Sequence, residues 1–198
     1  MIATMYSLSR NDIKALEVKD AYSIHKAVYS LFPKEDGKTR DFLFVDKGGV
    51  WNERQILIVS SRLPLQPQFG KIRSKEIPVT FLEYEYYGFE VKANPVVRVG
   101  ETKKHVPVRG SEELQEWFTK KSGGYGFSIE EKSLQVNHAG VIQFDKDGSK
   151  CTYNTATFIG RLRVQDRKLF QECFINGLGR GKAFGFGLLQ LVPLDKSN

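Results

Sequence analysis

The sequence predicts an α+β protein made of two ferredoxin-like, RRM-like βαββαβ units in tandem. Residues 1–60 run strand, helix, strand, strand, which is the opening of such a unit. Residues 81–198 alternate strands and helices in the same manner. The chain has 198 residues, about twice the ~100 residues of a common small domain. The join falls near residue 80, giving an N-terminal unit 1–80 and a C-terminal unit 81–198.

Each element follows from local pattern. Ile2 to Leu8 reads as a strand, and Asn11 to Asp20 as a polar turn. From Lys19 to Phe32 the period becomes helical, with Ala21, Ile24, Val28 and Leu31 on one stripe. Asp20 suits the N-cap, and Pro33 stops the helix. Asp41 to Val45 is a strand, Lys47-Gly48-Gly49 a turn, and Gln55 to Ser60 the next strand. The Pro- and Gln-rich run from Leu63 to Ile77 has to hold the second helix of the first unit, and its pattern marks none.

Phe81 to Ala93 is an aromatic strand broken by Asn94-Pro95. Val96 to Val108 is a basic strand or hairpin carrying Arg98, Lys103, Lys104 and His105. Ser111 to Lys121 is a helix capped by Ser111, with Leu114, Trp117 and Phe118 facing inward. Ser128 to Val164 is strand-rich and turns at Asp145-Lys146-Asp147-Gly148. Gln165 to Asn176 is a helix with Leu169, Cys173 and Phe174 inward. Leu188 to Val192 closes the second unit. No internal repeat is visible by identity, and no low-complexity linker divides the halves.

Composition narrows the function. Thirty basic residues against 23 acidic ones give a net charge of +7, which favours a polyanionic partner. The surplus is larger in residues 96–198, with 16 basic and 11 acidic residues against 14 and 12 before them. Hydrophobic residues are 40%, too many for a disordered chain. No apolar run approaches the roughly 18 residues of a membrane-spanning helix. Met1 to Arg10 lacks the features of a signal peptide. Two cysteines, Cys151 and Cys173, give neither a disulfide scaffold nor a zinc spacing, so a reducing cytoplasmic setting is expected.

Chemistry concentrates in two places. On the first helix, His25 lies at the margin of the apolar stripe. Tyr22 and Tyr29 flank it at i−3 and i+4, so all three share one flank. A half-buried histidine between phenols suits proton transfer near neutral pH, and it equally suits plain packing. The second place is Asn176 to Gly187, where glycines surround Arg180 and Lys182. Gly179 and Gly181 expose backbone N–H groups, and the cations suit phosphates. This loop contains neither the P-loop nor the dinucleotide-binding spacing, so a nucleotide cofactor is not expected. Arg161 and Arg163 alternate along one strand face, and Lys146 and Lys150 flank the hairpin turn. These four are candidates to converge with the glycine loop. Three scattered histidines, His25, His105 and His138, have no metal-ligand spacing.

These residues together resemble a known family. Asp20 to Pro33 and Arg40 to Phe44 look like the first helix and following strand of CasE, the precursor-RNA-processing endoribonucleases of type I-E CRISPR systems. Phe89 to Pro95 and the ending Gly177 to Leu194 resemble it too, so the likeness spans the chain, with residues 100–160 matching weakly. The resemblance implies tandem ferredoxin-like domains and a CRISPR repeat stem-loop RNA as substrate. It implies cleavage at the 3′ base of the stem without metal or small-molecule cofactor, and retention of the product within Cascade beside its other subunits. The family's catalytic histidine maps onto His25 and its assisting tyrosine onto Tyr22. The expected RNA-binding set is Lys26, Arg98, Lys103, Lys104, Lys146, Lys150, Arg161, Arg163, Gly179, Arg180, Gly181 and Lys182. The alternative is a non-catalytic RNA-hairpin-binding subunit of the same fold.

Overall fold

The computed structural model describes residues 1–33, 39–50, 52–100, 104–130 and 132–195, with the side chains of Val50 and Lys104 outside that description. The first half holds β1 (Ile2–Ser9), α1 (Arg10–Ala15), α2 (Ala21–Tyr29), β2 (Phe42–Val50), β3 (Glu53–Ser60) and β4 (Lys71–Glu76). Its strands form an antiparallel sheet in the order β2-β3-β1-β4. The second half holds β5 (Tyr86–Ala93), β6 (Val96–Val99), β7 (Lys104–Pro107), α3 (Ser111–Ser122), β8 (Phe127–Ile129), β9 (Gln135–Lys146), β10 (Ser149–Val164), α4 (Arg167–Asn176) and β11 (Gln190–Leu194). Its sheet runs β11-β5-β10-β8, with β9 also paired to β10. In the first sheet β1 lies between β4 and β3, and in the second β5 lies between β11 and β10; a first strand set beside the last is the ferredoxin-like order.

Period-two patterning builds the first core. Thr4, Tyr6 and Leu8 on β1 point to one face and are buried. They meet Ile56 and Ile58 of β3, Phe42 and Phe44 of β2, and Ile24, Ala27 and Val28 of α2. Burying a side chain of this size contributes roughly 1.5–3 kcal/mol. The other face of the same sheet presents Leu43, Val45 and Val59, which pack on Phe174 of α4 and on Leu188. The second core stacks Phe89, Phe118, Phe127, Phe158 and Phe170 between its sheet and α3 and α4.

Several local expectations change. The polar stretch after β1 contains a short helix, because Ser9 and Asp12 form a capping box: the Ser9 N–H donates to the Asp12 carboxylate at 2.8 Å. β2 continues through Lys47-Gly48-Gly49, where a register shift after Asp46 replaces the expected turn. Residues 61–70 hold no helix; the Leu65 N–H donates to the Leu31 carbonyl at 2.9 Å instead. The cap of α3 is Gly110, with no side-chain bond, and not Ser111. In α4 it is Phe170, wholly buried, that faces inward with Cys173 and Phe174, while Leu169 is 38% exposed. His138 sits in β9. The β9–β10 hairpin turns at Asp147-Gly148, both with positive φ (49° and 78°), as a tight two-residue turn requires.

Candidate active site

α2 begins at a capping box. The Ser23 N–H donates to the Asp20 carboxylate at 2.8 Å, and the Asp20 N–H donates to the Ser23 hydroxyl at 2.9 Å. Helical spacing from that fixed start sends Ile24, Ala27 and Val28 into the core and leaves His25 half-buried. His25 Nδ1 lies 2.8 Å from the carbonyl oxygen of Ala183, in the glycine-rich loop after α4. A carbonyl oxygen only accepts, so Nδ1 carries the proton. The neutral ring then keeps its lone pair on Nε2, free of that bond.

Aromatic rings hold the imidazole in place. Tyr29 sits 3.9 Å away between centroids, Phe184 5.3 Å, and Tyr22 stacks at 5.6 Å. Phe144 of β9 stacks on the outer side of Tyr22 at 6.3 Å and meets Phe184 at 4.7 Å. The Tyr22 hydroxyl donates to Asp147 Oδ1 at 3.0 Å, on the hairpin turn. Three segments far apart in sequence therefore meet at His25: α2, the β9–β10 turn and the glycine loop.

Cations gather around this ring. Burial is the main force holding the His25 pKa below its ordinary value; the bond to Ala183 opposes it, and the charges of Lys146, Arg40 and Lys26 add to it. The Lys26 ammonium stands 5.1 Å above the Tyr22 ring. Arg40 Nη1 is 3.4 Å from the Tyr29 hydroxyl. Lys182 donates to the Asn176 carbonyl at 2.8 Å, and burial, with the charge of Arg40 next, lowers its pKa. Hydrogen bonding to Asp147 raises the Tyr22 pKa. Burial pushes the Cys173 thiol up to about 12, which removes it as a nucleophile.

The candidate residues thus divide. His25, Tyr22, Lys26, Lys146 and Lys182 lie together. Arg180 is exposed on the same loop, with its charge reaching Tyr153, whose ring packs on Phe184 at 5.3 Å. The Gly179 N–H is taken by the Tyr125 hydroxyl at 3.1 Å, and Gly181 precedes the turn that presents Ala183. Lys150 is exposed on the hairpin, opposite Asp145.

Arg161 and Arg163 do not join them. Arg163 lies ten residues beyond Tyr153 along β10, about 33 Å of strand. The two arginines pair with Glu130 and Glu85 at 3.9 and 2.7 Å. Arg98 is exposed on the β6–β7 ribbon opposite His105, which Trp117 ties to α3 through the Val96 carbonyl. Lys104 is on β7, and Lys103 lies outside the described residues.

Sequence reasoning missed Arg40, Asp147 and the Ala183 carbonyl. Among the described residues no group of three His, Cys, Asp or Glu side chains is placed to hold a metal. None of the described helices is long and apolar enough to cross a membrane.

Tandem ferredoxin-like sheets with a histidine fastened between them define a class, and comparison with known proteins gives the family. The family model described as CRISPR associated protein matches residues 5–193, and the chain belongs to that family. It is 24% identical over 189 residues to the CRISPR system Cascade subunit CasE of Escherichia coli, covering 89% of this chain and 94% of that protein. Over 115 residues it is 29% identical to the CRISPR-associated endoribonuclease Cse3 of Thermus thermophilus, covering 53% and 54% of the two chains. A solved structure of Cse3 bound to a 19-nucleotide RNA superposes with a TM-score of 0.84 at 21% identity, covering 98% of this chain and all of that one. Cas6e of Escherichia coli superposes at 0.75 with 22% identity, covering 98% of this chain and 100% of that one. The fold is theirs.

Proposed function

We propose that this protein is an endoribonuclease that cleaves CRISPR repeat RNA at the 3′ base of its stem-loop. The observation that carries the reading is the His25–Ala183 bond, which leaves Nε2 free beside a group of cations. RNA places a 2′-hydroxyl next to each phosphate, so the substrate supplies its own nucleophile. His25 Nε2 takes the 2′-hydroxyl proton as the oxygen attacks phosphorus; the P–O5′ bond breaks, and the leaving 5′-oxygen takes a proton from the His25 imidazolium or from the Tyr22 phenol. The products are a 2′,3′-cyclic phosphate and a 5′-hydroxyl end. Tyr22 orients the reacting groups or shares the proton transfer, and Lys26 and Lys182 offset the charge of the phosphorane. Each role has a side chain, so the reaction proceeds without a metal.

The named relatives support the substrate class: a Cascade subunit, an endoribonuclease, and an RNA-bound Cse3. The product hairpin stays bound, within a Cascade assembly in the cytoplasm. RNA stems hide their base edges in a deep, narrow major groove, so phosphate and shape contacts dominate the grip. The test pairs wild type with His25→Ala on labelled repeat hairpin in EDTA, beside a hairpin with a 2′-deoxy residue upstream of the cut. A single cut, lost in the variant and in the deoxy substrate while binding persists, supports the reading. Tight binding without a cut by wild type replaces it with a hairpin-binding subunit.

A further inference from the structure

The geometry points to Arg40 as the residue that grips the scissile phosphate, its spare guanidinium N–H groups meeting a non-bridging oxygen. The inference deepens the ribonuclease reading above and rests on it.

Arg40 lies just before β2, with its guanidinium 5.9 Å from the Phe42 ring centroid. Its hydrogen bond, from Nη1 to the Tyr29 hydroxyl at 3.4 Å, is long. Its Nε–H is buried and has no partner among the described residues. Unmet buried donors on a charged group are costly and call for an explanation. No carboxylate pairs with Arg40 among the described residues. Tyr29, which it touches, lies against the face of His25 at 3.9 Å. The charge of Arg40 also reaches Lys182. Two cations thus converge beside one imidazole, and among the described residues neither forms an ion pair. Such an arrangement is stable where an anion completes it, and a planar fork of donors matches phosphate oxygens. Of the two, Lys182 already donates to the Asn176 carbonyl at 2.8 Å, while the Nη groups of Arg40 make, among the described residues, only the long bond to Tyr29. In the phosphorane the non-bridging oxygens gain charge, and a preorganised donor there favours the transition state over the ground state.

Arg40→Gln and Arg40→Lys test this in single-turnover cleavage of the repeat hairpin and in binding of its uncleavable 2′-deoxy form. Arg40→Gln slows cleavage about 100-fold and leaves deoxy-hairpin affinity within about threefold; Arg40→Lys recovers part of the rate. Cleavage within about threefold of wild type overturns the assignment, and so does an affinity loss as large as the rate loss. A second measurement needs no catalysis and no fold-altering variant. In wild type, the Arg40 Nε–H resonance shifts on adding the deoxy hairpin and stays put with a hairpin carrying a neutral methylphosphonate at the same linkage. An equal response to both overturns the assignment. If wild type leaves the hairpin uncut, the ribonuclease reading falls, and the resonance experiment still decides whether Arg40 holds phosphate.

Discussion

His25 Nδ1 and the Ala183 carbonyl oxygen stand 2.8 Å apart although 158 residues separate them in the chain. The bond joins a helix of the first unit to a loop of the second. It also sets which nitrogen of the ring carries the proton and leaves Nε2 outside that bond. Orientation and protonation are therefore fixed before RNA arrives.

The acid limb of the cleavage rate should lie below pH 6.5. Burial lowers the His25 pKa from 6.5, the Ala183 bond opposes it, and Lys146, Arg40 and Lys26 reinforce it. The groups facing the ring are Tyr22, Lys26 and Tyr29 on α2, Arg40 before β2, and Lys146 and Asp147 on the hairpin. The rate rises as pH climbs through the lowered value, because the base is the neutral ring. Lys146→Gln moves the limb toward higher pH; an unmoved limb in single-turnover profiles counts against the electrostatic account. Stability follows the same sign. The contribution is whole above the unfolded value near 6.5 and is lost as pH falls through the folded one. Melting curves of wild type and His25→Gln, compared from pH 8 to pH 5, read it.

Tyr22→Phe removes a hydroxyl held by Asp147 at 3.0 Å. Cleavage should slow by about 100-fold or more if the phenol shares proton transfer, with hairpin binding unchanged. Asp147→Asn should bring the phenol's pKa back toward its ordinary 10.0, since the bond to Asp147 is the main cause of its rise. Ultraviolet titration of the variant against wild type measures this.

Two glycines of the same loop should behave differently. Gly187 has φ +81°, and a Cβ there would strike the Leu178 carbonyl oxygen, a backbone atom. Gly179 has φ +70° with nothing within 4 Å of a Cβ. Gly179→Ala then costs only the left-handed strain, about 1–2 kcal/mol. Gly187→Ala costs more and shifts the strand that closes the second sheet. Thermal unfolding of both variants gives the order directly, and equal losses would contradict it.

Salt dependence separates the cations near His25 from those on the open face of the second sheet. Lys146→Gln should lower the slope of log affinity against log salt by about one unit, as losing one phosphate contact does. Arg161→Gln should leave the slope unchanged, because Arg161 is answered by Glu130 at 3.9 Å and lies far along β10. Hairpin titrations at several salt concentrations report both.

The sequence pattern made the sheets and α2 legible, because their apolar residues keep a strict period that burial enforces. It marked His25 and its tyrosine flanks for the same reason. It missed α1, whose helix depends on the Ser9–Asp12 cap and holds no fully buried residue, only Ile13 partly packed on the core. It placed Leu169 inward, although Phe170 sits three and four residues before Cys173 and Phe174 and so shares their buried face. The Ala183 carbonyl has no side-chain signature at all. Arg40 and Asp147 are polar residues at element ends, where sequence alone gives every surface residue the same appearance.

Among the described residues, the first unit lays no α-helix of its own on the open face of its sheet, and α4 of the other unit lies there. Phe170 and Cys173 serve one core while Phe174 serves the other. One helix is thus shared property, and neither unit can melt without exposing the other. Heat should therefore dissolve the protein in a single calorimetric step, with equal calorimetric and van't Hoff enthalpies. A fragment ending near residue 80 would carry Leu43, Val45 and Val59 bare into solvent and should precipitate. Proteases should find no stable half to release, and α2 and the glycine loop, on the two sides of His25, should not swing independently.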